Sequence, residues 1–390
     1  MRAATMVVLS ITLLSLTACT PAPLEFPDWT IPVPEGTRVI EYAGVSPEER
    51  TERIELVEDL VIGRDTDDPK YSFYSPRSVA VDDAGRIYVA DAGDHQVKVY
   101  DENGDHLMNL GREGQGPGEF SGPGWATIAG SLLVVADMRL SIWDLSGQHL
   151  GDKMFGINIP WSLAGRADGS VIARYPGITE SGRQGGAVIV RWDSEAREQA
   201  RYPSLPDAAP LFYPSREVRP RISLAVGSEV PSYAAGPEGP VYITPSVENQ
   251  VFAFDGAGKM VWALRVAEPR RPLSRIEIDR AMETVHSRFP NAIESQIDWP
   301  EHQPALSHLL VDGHGHLYVF PYFVAGLEPD EYKVDVYSAE GERLFTGLMS
   351  SKVELWNQML ATHGDALYDV RNHKMNAEWQ VVRYRLVEPF

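Results

Sequence analysis

Short apolar runs with a strand's period punctuate the chain, and the clearest set lies between Tyr74 and Gly124. Ser78 to Val81 is apolar. A turn at Asp82-Asp83-Ala84-Gly85 leads into Ile87-Tyr88-Val89-Ala90. Val97 to Tyr100 alternates, with Val97 and Val99 on one face and Lys98 and Tyr100 on the other, which predicts a half-buried strand. Asn103-Gly104 predicts a type I′ hairpin turn, because those residue types tolerate two positive φ angles. His106 to Leu110 forms a fourth strand, and the glycine-rich Gly111 to Gly118 reads as a link to the next unit.

This four-strand unit recurs. A turn glycine before the second strand stands at Gly85, Gly130, Gly169, Gly239, Gly315 and Gly364, followed by IYVA (87–90), LVVA (133–136), VIAR (171–174), VYIT (241–244), LYVF (317–320) and ALYD (366–369). Third strands end at Asp101, Asp144, Asp193, Asp255, Ser338 and Arg385, and a hairpin glycine follows at Gly104, Gly147, Gly258 and Gly341. A four-stranded unit repeated every ~40–50 residues is the pattern of a β-propeller. The expected fold is all-β, a six-bladed propeller of four-stranded blades. The sixth unit runs out of chain at Phe390 before a fourth strand, so Ile54 to Ile62 is expected to supply it and close the ring through paired N- and C-terminal segments. Ser274-Arg275-Ile276-Glu277 is a capping box that starts a helix over 275–288, with Ile278, Met282 and Val285 on one face. That helix either packs over a blade junction or forms a lid. A proline-rich connection spans 204–230, and a second insertion spans 321–330.

Pro76, Val79, Asp82, Gly85, Tyr88, Val89, Asp91, Asp101 and Gly104 together resemble the NHL-type repeat. The whole chain is similar to bacterial six-bladed propeller lipoproteins. A second segment, Trp299-Pro300, Pro304-Ala305 and LLVDGHGHLYV (309–319), resembles the entry to a late blade in those proteins. The resemblance implies the fold and a cell-envelope address. It implies little about activity, because propellers host many unrelated functions.

The first residues agree with that address. Arg2 precedes an apolar core, Val7 to Leu16, that is shorter than the roughly 20 residues of a membrane span. It ends in Leu16-Thr17-Ala18-Cys19, which resembles a lipobox, and Cys19 is the single cysteine. Residues 1–18 are thus expected to be a lipoprotein signal peptide, with Cys19 lipidated. Residues 19–36 carry five prolines and are expected to be a tether. The propeller fills 37–390. Thr20 follows the cysteine where inner-membrane lipoproteins of this kind often carry aspartate, so the resemblance favours an outer-membrane lipoprotein facing periplasm or cell surface.

A formal charge of −20 repels phosphate backbones, and no basic stripe is present, so nucleic acid is excluded as a partner. The remaining partners are the membrane, through the lipid anchor, and an envelope protein or small molecule; the chain is expected to be a monomer. Candidate ligand-binding residues are Asp91, His95, Asp137 and Asp369. Asp91 and Asp137 follow the second strands of neighbouring units. They either share a cation or bond their own loop backbone, as aspartate does in turns. His302, His308, His314 and His316 cluster in sequence but lack a zinc spacing. Asp65, Asp67 and Asp68 lack the glycine and glutamate of a calcium loop. Gly111 to Gly118 lacks the ending of a phosphate loop, and no nucleophile elbow occurs. No cofactor is predicted, and a divalent cation is the one left open. Two functions survive: a lipid-anchored binding or scaffold propeller without catalysis, and a metal-dependent propeller enzyme of the lactone-hydrolase or amidating-lyase type.

Overall fold

The computed structural model describes residues 24, 26–64, 67–154, 159–178, 184–203, 211–212, 222–223, 232–322, 330–350, 352–353, 360–373 and 378–389. Residues 1–18, Cys19, Asp65, most of 204–230 and most of the 321–330 insertion lie outside them. The chain forms a six-bladed β-propeller. Blade 1 is Pro76–Val81, Ile87–Asp91, Gln96–Tyr100 and His106–Leu110, four antiparallel strands in sequence order. Blades 2 to 5 repeat the arrangement, starting at Trp125, Ser162, Ser232 and Leu306.

Blade 6 takes Ala361–His363, Ala366–His373 and Glu378–Val387 from the C-terminal end of the chain. Its fourth strand is Arg53–Ile62, paired antiparallel from Glu55 opposite Val387 to Ile62 opposite Val381. The expected closure is therefore present. The N-terminal segment does more than close the ring. Arg38–Ala43 adds a fifth, parallel strand outside blade 4, in register from Arg38 opposite Trp262 to Ala43 opposite Ala267. Arg50 then enters blade 5, where its guanidinium pairs with buried Asp335 at 2.8 Å and donates to the Val334 carbonyl. Arg53 and Ile54 pair parallel with Leu348 and Met349 before the strand crosses to blade 6.

Part of the proline-containing stretch 26–36 packs on the propeller. Trp29 stacks edge-on against Phe252, Ile31 is buried in the cluster between blades 3 and 4, and Gln250 binds Thr30 and the Asp28 carbonyl. Proline removes backbone donors, but this docking uses side chains and carbonyls, which proline leaves intact.

Six apolar clusters fill the six gaps between neighbouring blades. Tyr88 and Ala90 face blade 2, whereas Ile87 and Val89 face blade 6. Each second strand is buried on both faces, which is why it reads as an unbroken apolar run rather than an alternation. The same packing corrects the half-buried reading of Val97 to Tyr100. Lys98 is fully buried, and its ammonium satisfies the Pro69 and Ser72 carbonyls and the Asp94 carboxylate at 2.9, 2.6 and 2.9 Å.

The six turn glycines all adopt positive φ, from 55° to 85°, as their place before each second strand anticipates. The hairpin turn differs from expectation. Among Asn103 and Gly104 only Gly104 has positive φ, at 87°, so the turn is not type I′. Instead Asp101 Oδ1 accepts from the N–H groups of Asn103 and Asp105, Gly104 N–H bonds the Asp101 carbonyl, and the strand register slips at Val99/Tyr100. A carboxylate-bonded turn ending in a left-handed residue and a bulge explains why Asp recurs at the end of third strands. Asp144, Asp193 and Asp255 bond their turns in the same way.

Blade 3 breaks the glycine pattern. Ala196 holds the hairpin position with φ 62°. A left-handed non-glycine residue costs about 1–2 kcal/mol, and the half-buried methyl returns less than the ~0.8 kcal/mol of a fully buried one. Ala196→Gly is therefore expected to stabilise by about 0.5–1 kcal/mol and raise Tm by about 1 °C in calorimetry; an unchanged or lower Tm contradicts the strain.

Candidate functional site

First strands face one another across the ring axis and line a cavity of about 630 Å³. Within each blade their inner edge has no ladder partner, so its backbone groups need other partners. Hydroxyl side chains supply them across four blade junctions, and a side-chain pair bridges a fifth. Ser78 Oγ accepts from Ala126 N–H at 2.8 Å, Thr127 Oγ1 from Gly165 N–H at 2.7 Å, and Ser232 Oγ from Leu309 N–H at 3.3 Å. The Thr362 hydroxyl donates to the Val311 carbonyl at 2.6 Å, and the Ser162 hydroxyl to Tyr233 Oη at 3.2 Å.

One end of the cavity is chemically distinct. First strands begin there, so each preceding fourth strand returns to that end. The register sets Ser162 opposite Arg174, Ser232 opposite Thr244 and His308 opposite Phe320. Arg174, Tyr233 and His308, from blades 3, 4 and 5, thus line the same end. Arg174 is 4% exposed, and its guanidinium lies 5.5 Å from the centre of the Trp161 ring. His308 is 8% exposed, and its Nδ1 has no hydrogen-bond partner among the described residues. Burial, reinforced by the Arg174 charge, lowers the His308 pKa to about 4, so the ring is neutral at pH 7. Burial raises the Tyr233 phenol, while Ser162 and Arg174 pull it back. The second buried cation of the lining, Arg166, is committed to the carbonyls of Gly236, Glu238 and Gly239. Asp83 is the one carboxylate of the lining among the described residues, and it sits in a turn at the far end.

Two insertions reach the same end. The connection entering blade 4 and the one entering blade 5 join by backbone pairing of Leu211 and Phe212 with Asp298 and Ile297. The helix Arg275–Arg288 belongs to the second insertion. Its capping box forms as expected: Glu277 Oε2 accepts from Ser274 N–H at 2.7 Å, and from Gln303 at 2.6 Å. Met282 and Val285 pack against Ala292 and Ile297 of the same insertion.

The four residues singled out in the sequence stand elsewhere. Asp91 is fully buried, and its two oxygens accept from Tyr74, Ser75 and Gly93 N–H at 2.9, 2.7 and 3.2 Å. Asp137 accepts from Ser121 N–H at 2.6 Å. Each aspartate ties the approach to a first strand onto its own blade, which is the loop-forming role. His95 lies in the turn beside Asp91 with φ 53°. Asp369 is buried on the face of its strand that carries Leu367, toward blade 5. Tyr368 and Val370 face blade 1, so the equivalent of IYVA in blade 6 is 367–370, one residue later than the run ALYD suggests. None of the four lines the cavity, and they do not come together as a ligand set.

Among the described residues, Asp312, His316 and Glu388 are the grouping with metal-ligand spacing. Asp312 is the turn aspartate of blade 5. Its Oδ1 accepts from His314 and His316 N–H, and its Oδ2 meets His316 Nδ1 at 3.0 Å. Asp82 in blade 1 bonds Ala84, Arg86 and the Arg86 side chain in the same pattern. His316 therefore stands where Arg86 does and locks a turn. Burial and the nearby Asp312 raise the Glu388 pKa.

The fold and its axial cavity define this chain as a β-propeller. Residues 73–100 match the NHL repeat, which covers the first three strands of blade 1. No curated protein sequence matches the chain significantly. Among solved structures, a protein from Bacteroides fragilis NCTC 9343 named only as a candidate exported protein is 10% identical, with 90% of this chain and 99% of that one covered and a TM-score of 0.50. A DUF4221-family member from Bacteroides vulgatus ATCC 8482 is 15% identical, with 86% and 99% covered and a TM-score of 0.52. A gluconolactonase from Xanthomonas campestris is 12% identical, with 81% and 87% covered and a TM-score of 0.42. At these identities the likeness is one of fold.

The depressed His308 pKa ties stability to pH. Between an unfolded value near 6.5 and a folded value of about 4, the unfolded chain binds the proton and the folded chain does not. The stability is full above pH ~6.5 and is lost as pH falls toward 4. From pH 7 to pH 5, wild type is expected to lose about 2 kcal/mol more than His308→Gln in urea unfolding. Equal losses in both would contradict the burial of a neutral imidazole.

Proposed function

We propose that this chain is a lipid-anchored, monomeric propeller of the bacterial cell envelope that binds a small ligand at one end of its axial cavity without transforming it. The binding reading rests on one observation: Arg174, Tyr233 and neutral His308 from three blades share that end of a cavity of about 630 Å³. Cavities of this size with a few convergent polar groups are where small molecules bind. The envelope address rests on Leu16-Thr17-Ala18-Cys19, with Cys19 as the acylated residue. No described helix is long and apolar enough to cross a membrane, so attachment would depend on the lipid.

The competing reading is a metal-dependent hydrolase or lyase. It would draw its ligands from scattered loop carboxylates, and Asp91 is the best placed of those in sequence. Releasing Asp91 to a metal would strip three backbone N–H groups of their acceptor in a buried loop, at a cost of roughly 1–3 kcal/mol each. That cost favours binding over metal catalysis.

Native mass spectrometry of the chain purified from membranes reads both halves. The expected species begins at acylated Cys19, carries no stoichiometric metal, and melts at the same temperature with and without chelator. A stoichiometric ion lost together with thermal stability would replace this reading with the metal-enzyme one. An unacylated chain would remove the anchor.

A further inference from the structure

We infer that the end of the propeller at which first strands begin rests on the bilayer surface, with Met138, Met154, Ile159 and Trp161 in the lipid interface and the opposite end turned toward solvent. The inference rests on the lipid-anchor reading above and adds the face that meets the lipid.

The distribution of exposed apolar side chains carries it. Met138 stands in the turn between the second and third strands of blade 2, and Met154 follows the fourth strand of that blade. Ile159 and Trp161 enter blade 3, and Ile276 and Ile293 belong to the insertion entering blade 5. All six stand at this end and are 41% to 66% exposed. Among the described residues, no large apolar side chain is exposed in the turns of the opposite end. Those turns carry exposed acids instead, Asp83, Glu102, Asp105 and Glu340 among them. Leu107, Leu150 and Leu344 are exposed too, but singly along outer strands, as on any protein surface. An apolar set gathered at one end marks an interaction face. Its residue types suit a lipid boundary. Tryptophan joins an apolar ring to a polar edge and favours the membrane–water interface, and methionine adapts to an irregular surface.

The place where the chain leaves the propeller is an independent observation. Third strands start at this end, and in blade 4 the first residue of that strand, Gln250, stands opposite Arg265. Gln250 donates to the Asp28 carbonyl at 2.7 Å, and Arg265 donates to the Pro27 carbonyl at 2.8 Å. The Arg265 guanidinium lies 4.9 Å from the centre of the Phe26 ring. The N-terminal segment therefore departs from this end. Seven residues lead from Phe26 back to Cys19, a covalent span of at most about 25 Å. An acyl group on Cys19 thus holds this end closer to the bilayer than the acidic one. A formal charge of −20 gives no attraction to anionic headgroups, so the contact has to be apolar. A protein partner has no such covalent tie to this face, which is why the bilayer is its occupant. The cavity end that carries Tyr233 and His308 then opens on the lipid side.

The test uses the full acylated chain in phosphatidylcholine vesicles. Cys19 is the single cysteine and acylation consumes it, so an introduced cysteine is the one free thiol. An environment-sensitive dye is attached in Met154→Cys, in Met138→Cys and, at the opposite end, in Ala84→Cys, each variant checked for a cooperative melt. The dyes at positions 154 and 138 are expected to shift to shorter wavelength, and to be quenched by nitroxide-labelled lipid at least about threefold more than the dye at position 84. Equal quenching at both ends, or none at either, on a chain that mass spectrometry shows to be acylated would overturn the docking and leave the anchor in place. A wavelength shift at position 154 without lipid quenching would give the face to a second copy or a protein partner, and would overturn the docking as well. A chain without an acyl group would remove the anchor reading, and the docking with it.

Discussion

The pairing of Glu55–Ile62 with Val381–Val387 is the contact on which the rest of the molecule depends. A sheet of four strands per blade has no reason to stop at six blades unless the last gap is filled. Here one strand from the N-terminal side completes a blade begun at the C-terminal side, and Ile62 is buried in the cluster between blades 6 and 1. The approach to that strand is reinforced. Trp29 and Ile31 dock on blade 4, Arg38–Ala43 pairs outside it, and the buried Arg50–Asp335 pair fixes the entry into blade 5. Three consecutive blades are thus clasped by one stretch of chain before the ring closes. Removing either partner of the buried ion pair would leave an uncompensated charge, so the clasp also specifies where the strand runs.

Closure is what creates the cavity. Six first strands facing inward leave six inner edges with unsatisfied backbone groups, and Ser78, Thr127, Ser162, Ser232 and Thr362 bridge five of the junctions. A position with little freedom to vary then becomes informative when it does. Where blade 1 has Ala90 and blade 2 has Ala136 in the second strand opposite the start of the first, blade 3 has Arg174 and blade 5 has Phe320. The chemistry of the site arises from these departures within a repeated frame, and the long insertions converge on the same end.

The fold is legible in the chain because its signals are local and repeated. Turn glycines, carboxylate-bonded hairpins and unbroken apolar second strands report on conformation one unit at a time, and the missing fourth strand of the last unit points to Ile54–Ile62. Asn103-Gly104 misleads toward type I′ geometry because Asn-Gly also serves a turn stabilised by Asp101. Lys98 looks like a solvent-facing residue because its partners, the carbonyls of Pro69 and Ser72, lie outside the strand. The site is less legible. Asp91 and Asp137 look like available loop acids, yet backbone N–H groups claim them. Nothing local marks Tyr233, and His308 reads only as a member of a histidine cluster, because they meet Arg174 only after blades 3, 4 and 5 are placed side by side. The one signal in the sequence is the arginine at the end of VIAR, an ionised residue in an otherwise buried position.

Hydrogen exchange read by mass spectrometry tests the closure most directly. If the ring depends on it, amides of 55–62 and 381–387 open only with global unfolding, and they exchange together with the second strands of blades 1 to 5. Rapid exchange of 55–62 while those second strands stay protected would mean that the strand peels away from an intact ring, and the account of closure would fail.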